Sequence, residues 1–233
     1  MWYAPDARPE TKLNRGGMKK HWVEKTLDAY DQSDRRPAKV RNYFSPSSVS
    51  QCPRAVWYHM MGYQEDATDS GGLRRMGVGS VYHEWIQEKL QKAGVLVSAE
   101  VEVTHDSPPM KGFYDGIIRH PETGEDYLIE IKSRSDNKYA VRYLPRPEHL
   151  VQWNLYSLMT NVVKGLLFYV NKNTQAYNIY ETQRDESILK KIIDKMWMIQ
   201  GYVDRKEIVP YQPDEKHDWC NFRTTCEKDY LNE

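Results

Sequence analysis

Asp115 and the triplet Glu130-Ile131-Lys132 carry the first chemical signal in this chain of 233 residues. Glu130 and Lys132 are two apart, so on a strand they share a face. Lys111 to Arg119 and Tyr127 to Lys132 read as strands, and Pro121-Glu122-Thr123-Gly124 between them is turn chemistry. Positions 115 and 130 are symmetric about the centre of that turn, so a regular hairpin sets Asp115 opposite Glu130. Two close carboxylates flanked by Ile and Leu are costly unless a cation or a proton neutralises them. Hard oxygen ligands of this kind suit Mg²⁺ or Mn²⁺. Lys132 alongside could orient or deprotonate a water, or stabilise a phosphorane-like transition state. The plainer alternative is a surface Asp with a Glu–Lys cross-strand pair.

Two further features bear on that choice. Gln152 and Tyr156 stand four apart in a helical segment, on one face. Alone they read as a solvated glutamine and a core tyrosine. His83, in Gly79-Ser80-Val81-Tyr82-His83-Glu84, is a further candidate metal ligand or a structural histidine. The ordered set His83, Asp115, Glu130-x-Lys132, Gln152-x-x-x-Tyr156 resembles the RecB-like branch of the PD-(D/E)xK nuclease superfamily. Tyr114 stands where the superfamily name has Pro, a variation usual in that branch. The resemblance implies an α/β fold, with a restriction-endonuclease-like core of mixed sheet flanked by helices. It implies that His83, Asp115, Glu130 and the Ile131 carbonyl bind Mg²⁺ or Mn²⁺, that Lys132 is catalytic, and that Gln152 and Tyr156 support the site and the DNA. The activity implied is an exonuclease on single-stranded or end-frayed DNA that leaves 5′-phosphates. The rivals are a non-catalytic DNA-binding or assembly module and a structure-selective endonuclease.

Cysteine spacing adds a second constellation. Cys52 lies early, and the tail reads His217-x2-Cys220-x5-Cys226. A metal joining Cys52 to the tail would close a long loop, where a crosslink has most entropic leverage. Three thiolates and an imidazole suit a 4Fe–4S cluster or tetrahedral Zn²⁺; the alternative is three unrelated buried thiols. The pattern resembles RecB-like nucleases with an iron–sulfur clasp, including CRISPR-adaptation and AddB-type proteins, with His217 where that branch has its first C-terminal Cys. That resemblance favours iron–sulfur. It also implies a recombination or CRISPR-adaptation protein as partner, beside DNA.

Around these residues the chain is ordinary. With 39% hydrophobic and 28% charged residues it is not a disordered sequence, and 33 basic against 33 acidic residues exclude a bulk polycation. A local basic excess remains: Lys132, Arg134, Lys138, Arg142 and Arg146 against Asp136. These could track phosphates, joined by Arg74, with Tyr139 and Tyr143 stacking on bases. An odd count of three cysteines, and no apolar leader or membrane-length run, lead us to expect a reducing cytoplasmic setting and no membrane.

Periodicity places helices at 16–32, 53–61, 73–93, 148–163 and 185–208, and a short helical start at Ser45-Pro46. Strands are expected at 95–103, 111–119, 127–132, 165–170 and, as an edge, 176–180. The expected organisation is an N-terminal arm and helix (1–44), a helical region with Cys52 and His83 (45–94), a nuclease core (95–209) and an irregular, metal-clasped tail (210–233).

Overall fold

Leu128, Ile129, Glu130 and Ile131 are each at most 1% exposed, so their strand runs through the middle of the molecule. A strand buried on both faces needs helices on both sides of its sheet. The computed structural model, which describes residues 20–33, 37–135, 140–212 and 220–231, supplies them. In chain order the elements are α1 (Trp22–Ser33), α2 (Pro53–Met61), α3 (Ser70–Lys92), β1 (Leu96–Ser98), β2 (Val101–Asp106), β3 (Pro109–Tyr114), β4 (Gly116–Arg119), β5 (Asp126–Arg134), α4 (Pro147–Thr160), β6 (Lys164–Asn171), β7 (Tyr177–Gln183), α5 (Glu186–Arg205) and α6 (Arg223–Tyr230). A 3-10 turn, Ala140–Tyr143, precedes α4. Five strands form a mixed sheet in the order β1-β4-β5-β6-β7, and β2 and β3 pair separately. β5 and β6 run parallel, joined through α4, and the other neighbours are antiparallel. This is the α/β architecture of a restriction-endonuclease-like core.

Alternation along β5 decides what each helix covers. Leu128 packs with Trp153 and Tyr156 of α4, together with Leu167 and Tyr169. Ile129 and Ile131 pack with Ile86 of α3 and with Phe168 and Val170. Glu130 and Lys132 alternate in step with Leu128 and so lie on the α4 side. The close approach of α4 depends on Gly165: a Cβ there would come within 2.7 Å of the Trp153 ring, whose Nε1 donates to Leu128 O at 3.0 Å. A third cluster joins α2, α5 and the C-terminal segment through Trp57, Met60, Leu189, Met196, Phe222 and Cys226.

The hairpin register agrees with the symmetry argument, since Gly116 pairs with Ile129 and Ile117 with Leu128. Several expectations need correction. The strand expected at 95–103 is two strands, broken where Glu100 takes a positive φ of 51°. The strand expected at 111–119 is likewise interrupted at Asp115 and continues upstream into β3. Helix α3 starts at Ser70 because Asp69 caps it, its side chain accepting from Gly72 N. Ser45-Pro46 begins turns, because Phe44 is pinned beside β3 by bonds to Pro109 O and from Lys111 N. The tail is not wholly irregular: α6 forms there, with Phe222 fully buried and Tyr58 Oη donating to Asp229 at 2.7 Å. Burial therefore does help to dock it. The expected arm over residues 1–15 lies outside the described residues. Among the described residues, no helix is long and apolar enough to cross a membrane.

Candidate active site

Where β3 gives way to β4, Asp115 sits beside the buried end of β5. Its Oδ2 accepts from Ile131 N at 2.6 Å, which fixes the carboxylate against the central strand. Its Oδ1 lies 3.3 Å from His83 Nδ1, brought in by α3. Burial opposes protonation of His83, but the bond to Asp115 and its charge outweigh that and raise its pKa.

Glu130 is 1% exposed. Burial and the Asp115 charge push its pKa up to about 7, against the opposing effect of Lys132. Lys132 Nζ approaches Glu130 Oε1 to 2.6 Å, an ion-pair distance, but off the directions a hydrogen bond needs. Oε1 is thus buried without a hydrogen-bond partner among the described residues. Burial disfavours the ammonium of Lys132, yet Glu130 and Asp115 more than restore it, so its pKa is raised and it stays charged. Its other contact is Gln152 Oε1, which accepts from Nζ at 3.2 Å.

Tyr156 stands one turn along α4 from Gln152, 3% exposed and packed over Gly112, where a Cβ would meet its hydroxyl at 2.6 Å. Burial first, and then the Glu130 and Asp115 charges, raise its pKa, so it remains a phenol. On the other side of Lys132, His149 shares a 2.9 Å hydrogen bond with Tyr169 Oη. Burial and the Lys132 charge push its pKa down to about 4, leaving it neutral.

Of these groups, His83, Asp115 and Lys132 open onto a cleft of about 820 Å³. Met76, Gly79, Ser80, His83 and Gln87, one face of α3, form one wall, and Glu100, Asp115, Lys132 and Ser133 the other. Carboxylate oxygens of Glu100 and Asp115 and a ring nitrogen of His83 all lie within 4.8 Å of one another, the candidate metal triad of the described residues. The donor set, carboxylates and one imidazole, fits a hard divalent ion.

The structure brings together His83, Asp115, Glu130, Ile131, Lys132, Gln152 and Tyr156. The sequence reading missed Glu100, whose only local mark is its unusual backbone, and Gln87, which no motif contains. Arg74, expected to contact DNA, has partners within the fold. It bonds Asp28 at 2.8 Å and Asp31 at 3.0 Å, fastening α1 to α3. Arg134 donates to Asn178 Oδ1 at 2.6 Å, so part of its bonding capacity serves the fold. Arg142 is exposed on the 3-10 turn. Lys138, Tyr139 and His217 lie outside the described residues. Cys226 belongs to the α2–α5 cluster, and Cys52 and Cys220 pack against it. Their sulfurs do not gather within 4.8 Å as a single-ion site, so a metal-clasped tail is not evident. Burial raises the Cys226 thiol, with Cys220 and Cys52 adding to it and Arg54 opposing.

No protein-family model matches the chain. A CRISPR-associated exonuclease Cas4 from Saccharolobus solfataricus is 27% identical over 169 residues, covering 70% of this chain and 80% of that protein. The crystal structure of SSO0001 superposes with a TM-score of 0.55 at 19% identity, over 88% of this chain and 96% of the other. An alkaline exonuclease, LHK-Exo from Laribacter hongkongensis, gives a TM-score of 0.51 at 12% identity, over 89% and 98%. With the sheet order and the metal triad, these likenesses identify the fold as that of PD-(D/E)xK-like nucleases.

Proposed function

We propose that the chain is a Mg²⁺- or Mn²⁺-dependent deoxyribonuclease, acting as an exonuclease on single-stranded or end-frayed DNA. The observation that carries this reading is the pair of close carboxylates: Glu130, fully buried and ion-paired to Lys132 at 2.6 Å, and Asp115 on the wall of the cleft. Such a pair is destabilising alone and is satisfied by a cation. His83, Asp115, Glu130 and the Ile131 carbonyl would hold the ion. When bound, it would acidify water and offset charge on the phosphodiester.

The remaining roles belong to side chains. Lys132, kept charged by its two acidic neighbours, donates to the attacking water or a phosphate oxygen rather than serving as a base. Gln152 holds the ammonium in place from α4. Tyr156, a buried phenol on the same helix, packs the β3 backbone leading into Asp115. Arg142, Lys138 and part of Arg134 would track the DNA phosphates, with Tyr139 stacking on bases. The two relatives whose names state an activity are exonucleases, which favours attack from an end.

In the same reading Cys52, His217, Cys220 and Cys226 bind a 4Fe–4S cluster, or zinc as the alternative, in a cytoplasmic protein serving recombination or CRISPR adaptation. What supports this is that all three cysteines pack on the same apolar cluster, with buried Arg54 opposing the raised pKa of Cys226.

End-labelled linear single- and double-stranded DNA and closed circles, incubated with Mg²⁺, Mn²⁺ or EDTA, test the activity. The expected result is ion-dependent loss of linear DNA to 5′-phosphorylated products, with circles intact. Nicked circles would point to a structure-selective endonuclease. No cleavage with either ion would leave a non-catalytic DNA-binding module.

A further inference from the structure

The two edges of the central sheet differ. β1, at one edge, is three residues long, its pairing with β4 slips between Leu96 and Ser98, and the chain soon turns away through Glu100 with its positive φ. Shortness and irregular register keep an edge from pairing with another chain. β7, at the other edge, pairs with β6 in unbroken register from Tyr177 to Gln183. It holds no proline and no lysine, and Glu181 is its one charge.

Bonds at the two ends of β7 set which backbone groups are free. Asn171 N donates to Ala176 O at 3.0 Å, and Arg184 N donates to Val163 O at 2.9 Å. Both pairs continue the β6–β7 register, so the even-numbered residues of β7 bond to β6. The odd-numbered ones, Tyr177, Ile179, Glu181 and Gln183, turn their N–H and C=O outward. Among the described residues no strand lies beyond them. Their side chains point to the α3 side of the sheet, since Ile179 pairs with Phe168, which packs with Ile86 of α3. Tyr177 leans on Phe168 and Trp85, with ring centroids at 4.9 and 6.5 Å, yet stays 45% exposed, and Ile179 is 50% exposed. A free edge and an uncovered apolar face coincide.

We propose that β7 pairs antiparallel with β7 of a second copy of this chain, about a two-fold axis at Ile179, so that the two sheets become one. Charge selects the register. An axis at Glu181 would set two carboxylates opposite each other, and one at Tyr180 would set each carboxylate against Ile179. An axis at Ile179 sets isoleucine on isoleucine and each Glu181 against Tyr177, whose ring packs on its methylenes. In that register the outward N–H and C=O groups of Tyr177, Ile179 and Glu181 all find partners. The 33 basic and 33 acidic residues leave no net charge to drive two copies apart. Asp115 and Glu100 place the cleft toward the β1 end of the sheet, so pairing through β7 leaves both clefts open.

The pairing does not depend on the nuclease reading. Sedimentation equilibrium of the full chain over a concentration series tests it, with wild type beside Ile179→Lys and circular dichroism to check folding. Lysine at this half-exposed position should be tolerated by the fold, whereas pairing would set two ammonium groups face to face. Wild type should approach twice the chain mass. Ile179→Lys should stay at one chain mass, its dimer dissociation constant roughly tenfold higher or more. A cysteine variant reads the register directly. Cα atoms of a hydrogen-bonded antiparallel pair lie about 5.5 Å apart, inside the roughly 4.4–6.8 Å range of disulfides. Mild oxidation should therefore crosslink Ile179→Cys into a dimer above the wild-type background from Cys52, Cys220 and Cys226, and should not do so for Thr182→Cys. Wild type monomeric at every concentration would overturn the proposal. So would an assembly that Ile179→Lys leaves intact, or Ile179→Cys crosslinking no better than wild type or Thr182→Cys.

Discussion

Glu130 titrates where metal binding can use it because of where β5 runs. Burial and Asp115 push its pKa up to about 7. In the metal-free protein its contribution to stability is full below about pH 4.5. It is lost as pH rises through about 7, because the folded state then has to hold a buried charge. Metal-free wild type should therefore lose stability relative to Glu130→Gln across that interval, on the order of 3 kcal/mol, read as the difference between their melting temperatures at each pH. His149 opposes this at the acid end: held neutral, it contributes fully above about pH 6.5 and its contribution is lost as pH falls through about 4. Comparing the two chains removes that background. Mn²⁺ at pH 8 should restore wild type and leave the variant unchanged. A pH-independent difference would mean that Glu130 is not the strained acid described here. At this scale the sequence was most informative about motif residues, because Glu130-x-Lys132 and the turn-centred symmetry follow from strand geometry alone. Glu100 was invisible because its position depends on a left-handed residue and on Gln87 reaching from another element.

Helix α4 holds the ammonium of Lys132 through Gln152, and Gly165 sets how closely α4 can lie on the sheet. A Cβ at 165 would drive into the Trp153 ring and the Leu128 carbonyl that its indole bonds. Backbone on one side and a fully buried ring on the other leave no cheap adjustment. Gly165→Ala should cost about 3 kcal/mol or more, seen in denaturant unfolding. Activity of whatever folds should fall with it, because Gln152 moves. Wild-type stability would show that α4 is seated by other contacts. The long elements were legible because α5 spaces Leu189, Ile192, Met196 and Ile199 along one face, and β6 carries the apolar run from Leu166 to Val170. The breaks at Glu100 and Asp115 were not, since alternation continues across Glu100 and strand-forming Phe113, Tyr114, Ile117 and Ile118 flank Asp115. Helix α6 was missed because its eight residues bury only Cys226.

Across the whole molecule, the C-terminal segment closes over α2 through Phe222, Cys226 and the Tyr58–Asp229 bond. These contacts mean that the tail does not depend on a metal alone. If the proposed cluster forms, anaerobically purified wild type should contain iron and absorb in the visible. Cys220→Ser should lose both and become more sensitive to proteolysis near the C-terminus, while keeping its Mn²⁺ affinity at the cleft. Stoichiometric zinc with no visible absorbance would assign the clasp to zinc, and a metal-free wild type would remove it. In the proposed function, Asp115 and its neighbours make a metal-dependent nuclease of this fold. Its most direct test is hydrolysis of an end-labelled linear oligonucleotide by wild type and Asp115→Asn, each in Mn²⁺ and in EDTA. Asparagine can still accept from Ile131 N, so the fold should survive the change. Cleavage by wild type in Mn²⁺ alone, with Asp115→Asn at least a hundredfold slower, is the predicted result. Equal rates for the two proteins, or cleavage that persists in EDTA, would contradict it.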